Sequence, residues 1–576
     1  METLSSLVTL LARRAESDSD RRAYIFLSDR GTEEAVLTFR ELYDKARTFA
    51  GELATVARPG DRALLVFPPG LEFIVAFFAC QIARVIAVPM MMPRRQSARD
   101  SSAAIMANCE PVVALTNAAF ALRLDLHERF ARERLQWLAV SLDGAATGPA
   151  AADLPAPDPH DIAFLQYTSG STSDPKGVAV SHANLLANLE MIRLSLGNTE
   201  RSTYVNWVPL YHDMGLILNT LESLYVGALC VLMAPNAFTQ RPLNWLRAIH
   251  QYRAEVGCGP NFGYDLCVSR YRADQMDGVD LSSWKVALNG AEPVRAETIE
   301  SFAATFAGHG FDRAATFPAY GMAEATLLIS GRRRGEGPVT HAVSRSALQA
   351  HRVGPAADQD DTQTVVGCGR ALAGERIAIV DPESCTRVAS NQVGEIWVSG
   401  ANVARAYWRN AEATQTSLNA QIQGDDDGAR WLRTGDLGFL DAAGELFITG
   451  RIKDLIIVRG INHYPQDIEQ TVQAMHPALR PNCGAAFAVS DDHGEETLAI
   501  VQEVERTERN RIDAAEMKGL IREGVTEQHE LFARHIVLIR PGTLPKTTSG
   551  KIQRGLTRRL WLEGRLADLE ETAAGS

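Results

Sequence analysis

The stretch Ile162-Ala-Phe-Leu-Gln-Tyr-Thr-Ser-Gly-Ser-Thr-Ser-Asp-Pro-Lys-Gly177 governs how the rest of the chain is read. Its apolar run, Ile162 to Tyr167, is strand-like and feeds a loop of hydroxyl-bearing residues and glycine. Such a loop gathers backbone N–H groups and hydroxyl donors around one point. Lys176 adds a cation beside them, which is the chemistry a polyphosphate requires. The pattern is not Walker A, because Pro175 precedes the lysine and no Gly-Lys-Ser/Thr follows four intervening residues. The plain alternative is a polar turn between two strands. Val178-Ala-Val180 continues extended, and Ser181 then caps a helix bearing Leu185, Leu189 and Ile192 on one face.

Upstream, strand-like and helical runs alternate: Ala63 to Phe67, a helix near Leu71 to Ile82, Val85 to Val88, Val112 to Leu115, then helical Ala118 to Arg132. That rhythm predicts parallel α/β layers. Gly144 to Pro159 is rich in Ala, Pro and Gly, lacks either periodicity, and reads as a surface connector. Downstream, from Gly367, the texture changes to short glycine-punctuated strands at Arg376 to Val380, Gly394 to Val398, Trp431 to Thr434 and Glu445 to Ile448. Turns at Asp425 to Gly428 and Asp441 to Gly444 separate them, so a β-rich subdomain of hairpins is expected. After Arg451 the pattern returns to mixed α/β over a length that suits one small domain. No internal repeat is present.

With 576 residues, 46% hydrophobic and 22% charged, and only 25 Pro and 44 Gly, the chain can bury a sizeable core. Collagen-like, low-complexity and wholly disordered classes are excluded. The balance of 58 Lys+Arg against 70 Asp+Glu, a net charge of −12, gives no general attraction to nucleic acid or anionic lipid. Any bound anion needs a local site. The 8 cysteines are dispersed without C-x-x-C or paired Cys/His spacing, which argues against structural zinc and a disulfide framework. The N-terminal stretch lacks the marks of a secretory signal, and the apolar stretch Ala63 to Met92 is cut by Pro68, Pro69, Gly70 and Pro89. The sequence therefore predicts no transmembrane segment and a cytoplasmic chain.

Thr168-Ser-Gly-Ser-Thr-Ser-Asp-Pro-Lys-Gly177 resembles the phosphate loop of the adenylate-forming superfamily of acyl-CoA synthetases, luciferases and peptide-synthetase adenylation domains. Tyr320-Gly-Met-Ala-Glu324, Thr434-Gly-Asp-Leu437, Gly450-Arg-Ile-Lys-Asp454 and Pro545-Lys-Thr-Thr-Ser-Gly-Lys551 follow in the family's order. Within the superfamily the chain is most similar to fatty acyl-AMP ligases, through Asn206 to Leu216, Asn289 to Pro293, Arg459 to Glu469 and an extra polar stretch after Ser330. The resemblance implies an α/β fold. A large adenylation domain, 1–451, has two layered α/β subdomains and a β-rich barrel-like subdomain at about 367–451. A polar insertion lies at about 331–365, and 452–576 form a small mobile α+β domain. In that family such an insertion is associated with transfer to a carrier protein instead of coenzyme A.

The implied activity is ATP- and Mg²⁺-dependent conversion of a medium- or long-chain fatty acid to acyl-AMP with release of pyrophosphate. The acyl group then passes to the phosphopantetheine thiol of a holo acyl carrier protein, in a polyketide or nonribosomal peptide pathway. Bringing a carboxylate to a triphosphate requires neutralising cations and in-line geometry. The resemblance assigns catalysis to Lys551 and His212, and nucleotide binding to Thr168, Ser169, Gly170, Ser171, Thr172 and Lys176. The adenine and ribose side takes Asn289, Gly290, Ala291, Glu292, Tyr320, Gly321, Met322, Asp436 and Arg451. Glu324 is the Mg²⁺ ligand, a hard oxygen donor, and Lys453 the hinge. Gly263, Tyr264 and the apolar residues around Trp207 to Leu218 line either an acyl tunnel or ordinary core. The basic tail Lys546 to Arg565 reads either as a carrier-docking patch or as a charged helix face. Two other functions fit the same motifs: a fatty acyl-CoA synthetase, and a catalytically silent acyl- or nucleotide-binding protein.

Overall fold

The computed structural model describes residues 4–91, 102–122, 135–143, 155–168, 175–458, 461–490, 496–509, 511–547 and 550–570. Two seven-stranded sheets organise the first four hundred residues. One runs in the order 406–407, 176–181, 162–168, 86–89, 62–65, 113–117, 136–140. The strand Ile162–Thr168 lies parallel to Ile86–Pro89 and antiparallel to Lys176–Ser181. It therefore stands where a parallel sheet turns antiparallel, and the hydroxyl-rich loop leaves from that point. The other sheet runs 316–318, 286–289, 256–259, 203–206, 229–233, 22–27, 33–38, parallel except for its last pair.

The helix Glu72–Ala83 is buried from Phe73 through Ala83. Its sequence is apolar on every side, as an interior helix requires, and it shares one continuous core with side chains of both sheets. Ser181 does cap the next helix, His182–Leu196, through a reciprocal box with Asn184. Leu185, Leu189 and Ile192 face the core. Strands Arg376–Val380, Gly394–Ser399, Leu432–Leu440 and Leu446–Arg451 form an antiparallel sheet in the expected hairpin-rich region. No cysteine is joined in a disulfide, and among the described residues no helix is long and apolar enough to cross a membrane. Residues 123–132 of the expected helix and 144–154 of the connector lie outside the described residues.

The stretch after Gly331, whose structure the sequence leaves open, folds into the hairpin Thr340–Ser344 with Thr362–Val366, joined through the helix Arg345–Gln349. Val343, Leu348 and Val365 pack with Phe439, Phe447 and Tyr464. The insertion thus lies between the β-rich region and the residues beyond 451. Those later residues build the sheet Leu479–Ser490, Glu496–Val504, Ala533–Ile539, covered by the helices Pro465–Ala474 and Ala514–His529, around a core of their own.

Gln363 donates to Asp467 at 3.0 Å across the contact with the insertion. Burial pushes the Asp467 carboxyl up to about 6. Because the ionised form is the one that burial disfavours, its favourable share is complete below the unfolded value of ~3.9 and is lost as pH rises through the folded value. Asp467→Asn keeps an acceptor for Gln363 and removes the charge. Thermal melts should show the variant more stable than the parent at about pH 7, by on the order of 2 kcal/mol, and equal to it at about pH 3, where both are neutral. A difference independent of pH would contradict this.

Candidate active site

Hydrogen bonds, ring contacts and electrostatic neighbours bring Lys176, Glu324 and Tyr407, and Asp213, Glu292, Tyr320, Asp436, Arg451 and Lys551, together across long separations in sequence. Thr168 closes its strand and pairs with Lys176 across the hairpin. Ser169, Gly170, Ser171 and Thr172 lie outside the described residues. The Lys176 ammonium sits 5.1 Å from the centroid of the Tyr407 ring.

Tyr320 opens the short strand Tyr320–Gly321 and donates its hydroxyl to Asp436 Oδ2 at 2.7 Å, while Arg451 Nε donates to Asp436 Oδ1 at 2.6 Å. Asp436 and Arg451 face each other across the antiparallel pair of Leu432–Leu440 with Leu446–Arg451, which explains why two separated motifs share one ion pair. The Asp436 side chain is 6% exposed and the Arg451 side chain 50%, so the carboxylate is anchored inside and its partner reaches outward. The charge of Asp436 raises the Arg451 guanidinium above its ordinary value. Each carboxylate oxygen keeps a second acceptor direction. Gly321 is obligatory for packing, because a Cβ there would meet the Leu327 carbonyl at 2.0 Å. Met322 N–H donates to that same carbonyl.

Glu324 is buried, and its Oε1 accepts the Tyr407 hydroxyl at 2.9 Å. Burial raises its carboxyl above the ordinary range, an effect that the Tyr407 hydrogen bond opposes. On the other wall, Asn289 ends its strand and donates to Asn261 at 3.2 Å, leaving Oδ1 without a partner among the described residues. A Cβ on Gly290 would lie 2.9 Å from the Ala319 carbonyl, so glycine there lets two chain segments pack closely. Ala291 has φ +68°, a left-handed conformation that costs a non-glycine residue ~1 kcal/mol or more. That turn directs Glu292 to accept the Phe262 N–H at 2.7 Å. Burial raises the Glu292 carboxyl as well.

His212 follows a tight turn in which its N–H donates to the Pro209 carbonyl, and Gln166 Nε2 holds the adjacent Tyr211 carbonyl at 3.1 Å. Burial lowers the His212 imidazole and Lys551 lowers it further, against the pull of Asp213. The strand carrying the loop is thereby tied to the segment carrying the histidine.

Lys551 enters from beyond residue 451. Thr547 and Lys551 close a turn through Thr547 N–H to the Lys551 carbonyl at 2.7 Å and Lys551 N–H to Thr547 Oγ1 at 3.0 Å. Thr548 and Ser549 are outside the described residues. Gly550, at φ +89°, lies so near Phe262 that a Cβ would stand 3.0 Å from its ring. Burial and the Arg451 charge push the Lys551 ammonium below the ordinary lysine range, while Asp213, Asp436 and Glu292 oppose them. Among the described residues it makes no ion pair. Lys453 is exposed in the turn Ile452–Asp454, at the joint between the two parts.

Two open readings of the sequence are narrowed. Tyr264 belongs to the aromatic core with Trp245, Trp284 and Phe302, its hydroxyl on the Leu288 carbonyl at 2.8 Å. Gly263 packs against Trp207, which stacks on Phe238 at 3.7 Å. In the basic tail, Arg554 is consumed by Glu469 and Asp454, Arg558 by the Ala488 carbonyl, and Lys546 reaches Cys483 Sγ at 3.1 Å. The residues that sequence reasoning missed are Tyr407, Phe262 and Gln166. Each lies on an ordinary strand or helix end and carries no local signal; only the fold brings it to the site.

A buried acid joined through Tyr407 to Lys176, an Asp-Arg-Tyr cluster and a lysine brought in from beyond residue 451 are the described parts of an adenylate-forming site. Residues 11–408 match the AMP-binding enzyme family, and residues 453–571 match the Disco-interacting protein 2-like AMP domain. The chain is 44% identical to the medium-chain-fatty-acid–[acyl-carrier-protein] ligase JamA of Moorena producens, over 98% of this chain and 96% of that protein. A solved fatty acyl-adenylate ligase from L. pneumophila, in complex with acyl adenylate and pyrophosphate, is 39% identical, with TM-score 0.74 over 98% of this chain and 97% of the other. A structure from work on the fatty acyl-adenylate ligases of E. coli and L. pneumophila gives TM-score 0.88 at 31% identity, over 97% of this chain and 98% of the other. The chain belongs to the AMP-binding enzyme family, among its fatty acyl-AMP ligases.

Proposed function

We propose that this chain joins a medium- or long-chain fatty acid to AMP and then passes the acyl group to the phosphopantetheine thiol of a holo acyl carrier protein. In the first half-reaction a carboxylate oxygen attacks the α-phosphorus of ATP, the bond to the β-phosphate bridging oxygen breaks, and pyrophosphate leaves. In the second, the thiol sulfur attacks the acyl carbonyl and AMP leaves. The carrying observation is that the turn bearing Lys551 seats Gly550 against Phe262, whose N–H is held by Glu292, so that the lysine comes under the charges of Arg451, Asp213, Asp436 and Glu292.

Each residue then has a task. Lys176, with the loop Thr168 to Thr172, faces the outer phosphates. Asp436, steadied by Tyr320 and Arg451, accepts from the ribose hydroxyls, and Asn289 to Glu292 with Tyr320 to Met322 border the adenine. His212, held neutral by burial, lies at the fatty carboxylate as a hydrogen-bond donor without adding charge. Lys551 neutralises charge that builds at the α-phosphate. Among the described residues no cluster of three or more His, Cys, Asp or Glu could cage a metal. A single buried carboxylate, Glu324, suits Mg²⁺, which keeps waters and bridges phosphates. When bound there, Mg²⁺ would supply charge neutralisation at the phosphates.

Residues 452–576 act as a small mobile domain on the large domain 1–451, pivoting at Lys453, so that Lys551 withdraws before the thiol enters. The seating of the insertion on this part supports carrier protein over coenzyme A. Tyr464 donates to the Leu348 carbonyl at 3.3 Å and Asn462 to the Gln349 carbonyl at 2.9 Å. These contacts hold residues 452–576 in the orientation that keeps Lys551 in place, and a docking carrier protein, larger than a free thiol, would supply the surface that releases them. We place the reaction in the cytoplasm, ahead of a polyketide or nonribosomal peptide assembly step.

The test is mass spectrometry of the adenylate formed from a mixed fatty-acid pool with ATP and MgCl₂, followed by holo carrier protein and coenzyme A in competition. Acyl carrier protein as the dominant product is expected. Preferential acyl-CoA would support the synthetase reading, and no pyrophosphate from any acid would support the silent one. Gly550→Ala gives a second check: its positive φ and the Phe262 ring both resist a Cβ. Adenylate formation should fall about tenfold, the equivalent of ~1.4 kcal/mol of strain, with little change in the melting temperature. Unimpaired adenylation in this variant would show that seating against Phe262 is not required.

A further inference from the structure

Tyr407 touches two charged groups that the chain brings from far apart. It ends the short strand Ala406–Tyr407, which pairs antiparallel with Lys176–Ser181 at the edge of the sheet, and Trp408 N–H donates to the Gly177 carbonyl at 2.7 Å. Its own N–H donates to Thr414 Oγ1 at 3.0 Å. The ring is therefore fixed to the base of the phosphate loop, and the residue is only 6% exposed. On one face of the ring lies the Lys176 ammonium, 5.1 Å from the centroid; at the ring's edge the hydroxyl donates to Glu324 Oε1 at 2.9 Å. Glu324 is held from its backbone too, where its carbonyl accepts the Ala404 N–H at 2.9 Å.

A lysine and a glutamate in one site would otherwise pair directly, and a direct pair would fill the place a ligand needs. Among the described residues Lys176 and Glu324 form no such pair. The phenol satisfies each separately, the cation by its π face and the carboxylate by its hydroxyl. We propose that Tyr407 is a positioning residue that holds the Lys176 ammonium and the Glu324 carboxylate at a fixed spacing. The two groups then receive a metal–triphosphate complex as one unit, the cation on phosphate and the carboxylate on the metal. The inference rests on the ATP-dependent reading above and adds to it a residue that selects the magnesium-loaded nucleotide over the free one.

Tyr407→Phe keeps the ring and removes the hydroxyl; Tyr407→Leu removes both. The measurement is isothermal titration with ATP in the absence of fatty acid, once with MgCl₂ and once with a chelator. For the parent chain, Mg-ATP should bind more tightly than metal-free ATP. In Tyr407→Phe the affinity for Mg-ATP should fall about tenfold, the usual effect of losing a hydrogen bond to a charged group, while metal-free ATP binds as before. Tyr407→Leu should weaken both. In turnover, Tyr407→Phe should need more Mg²⁺ for half-maximal rate and regain the parental kcat at saturating Mg²⁺, which a general structural defect would not allow. Equal weakening of both nucleotide forms in Tyr407→Phe, or none, would overturn the proposal while leaving the functional reading intact. A parent chain that binds ATP in neither form would overturn the functional reading itself.

Discussion

Lys551→Ala is expected to slow pyrophosphate release by about 10²–10³, the effect of deleting a preorganised donor to developing charge. The chain should fold as before, because Lys551 forms no ion pair among the described residues and burial already disfavours its charged form. ATP affinity should change far less than the rate, since the group acts where charge builds in the transition state. Transfer from synthetic acyl-AMP to holo carrier protein should continue at close to the parental rate, as the proposed swing about Lys453 requires. The pH profile gives an independent reading. A lysine below its ordinary range loses its proton as pH rises, so the adenylation rate should fall on the alkaline side earlier than an ordinary lysine would dictate. Lys551→Arg should retain part of the rate, because the guanidinium does not match an ammonium point charge, and should move that alkaline limb upward. Pyrophosphate release by Lys551→Ala at the parental rate would remove the residue from the chemistry.

The parts of this site that are legible in the sequence are those carried by contiguous motifs. The hydroxyl-rich loop, Tyr320 to Glu324, Thr434 to Leu437 and the final lysine are each short runs in which spacing and residue type already limit the chemistry. The alternating strands and helices before Val180 are equally readable, because the period of apolar residues reports which face is buried. Tyr407 illustrates what is not readable. Its neighbours, Ala406 and Trp408, describe an ordinary strand end, and its role arises only because that strand adds to Lys176–Ser181 while Glu324 arrives from the short 3-10 turn Ala323–Ala325. The insertion shows a second kind of limit. Its polar composition hides the apolar alternation of Val343 and Val365, which becomes meaningful only against Phe439, Phe447 and Tyr464. The basic tail shows a third: counting Lys and Arg suggested an external patch, yet Arg554 faces inward to acids that are distant in sequence.

That inward arginine carries the second large effect. Arg554 donates through Nε and Nη2 to the two oxygens of Glu469, each at 2.7 Å, and through Nη1 to Asp454 at 3.0 Å. The Glu469 side chain is 2% exposed, and its Oε1 also accepts the Ala486 N–H at 3.0 Å. One guanidinium therefore ties the first helix after the joint, the strand Leu479–Ser490, the turn Ile452–Asp454 and the final helix, three residues beyond Lys551. Arg554→Ala leaves a buried carboxylate without its counter-charge, a loss that typically costs about 3–5 kcal/mol, much of it the penalty on the abandoned partner. Calorimetry should show residues 452–576 melting earlier, with limited proteolysis entering there first, while the core around the two large sheets keeps its transition. Adenylate formation should fall with it, because Lys551 loses its footing. The double variant Arg554→Met with Glu469→Leu distinguishes the pair's worth from the cost of breaking it. Removing both charges should restore only part of the lost stability, since the apolar pair relieves the abandoned carboxylate but leaves the buried Ala486 N–H without its acceptor. Restored stability without restored adenylation would then assign the Asp454 contact to setting the angle at the joint, and a single variant as stable as the parent would show the arginine to be dispensable to the fold.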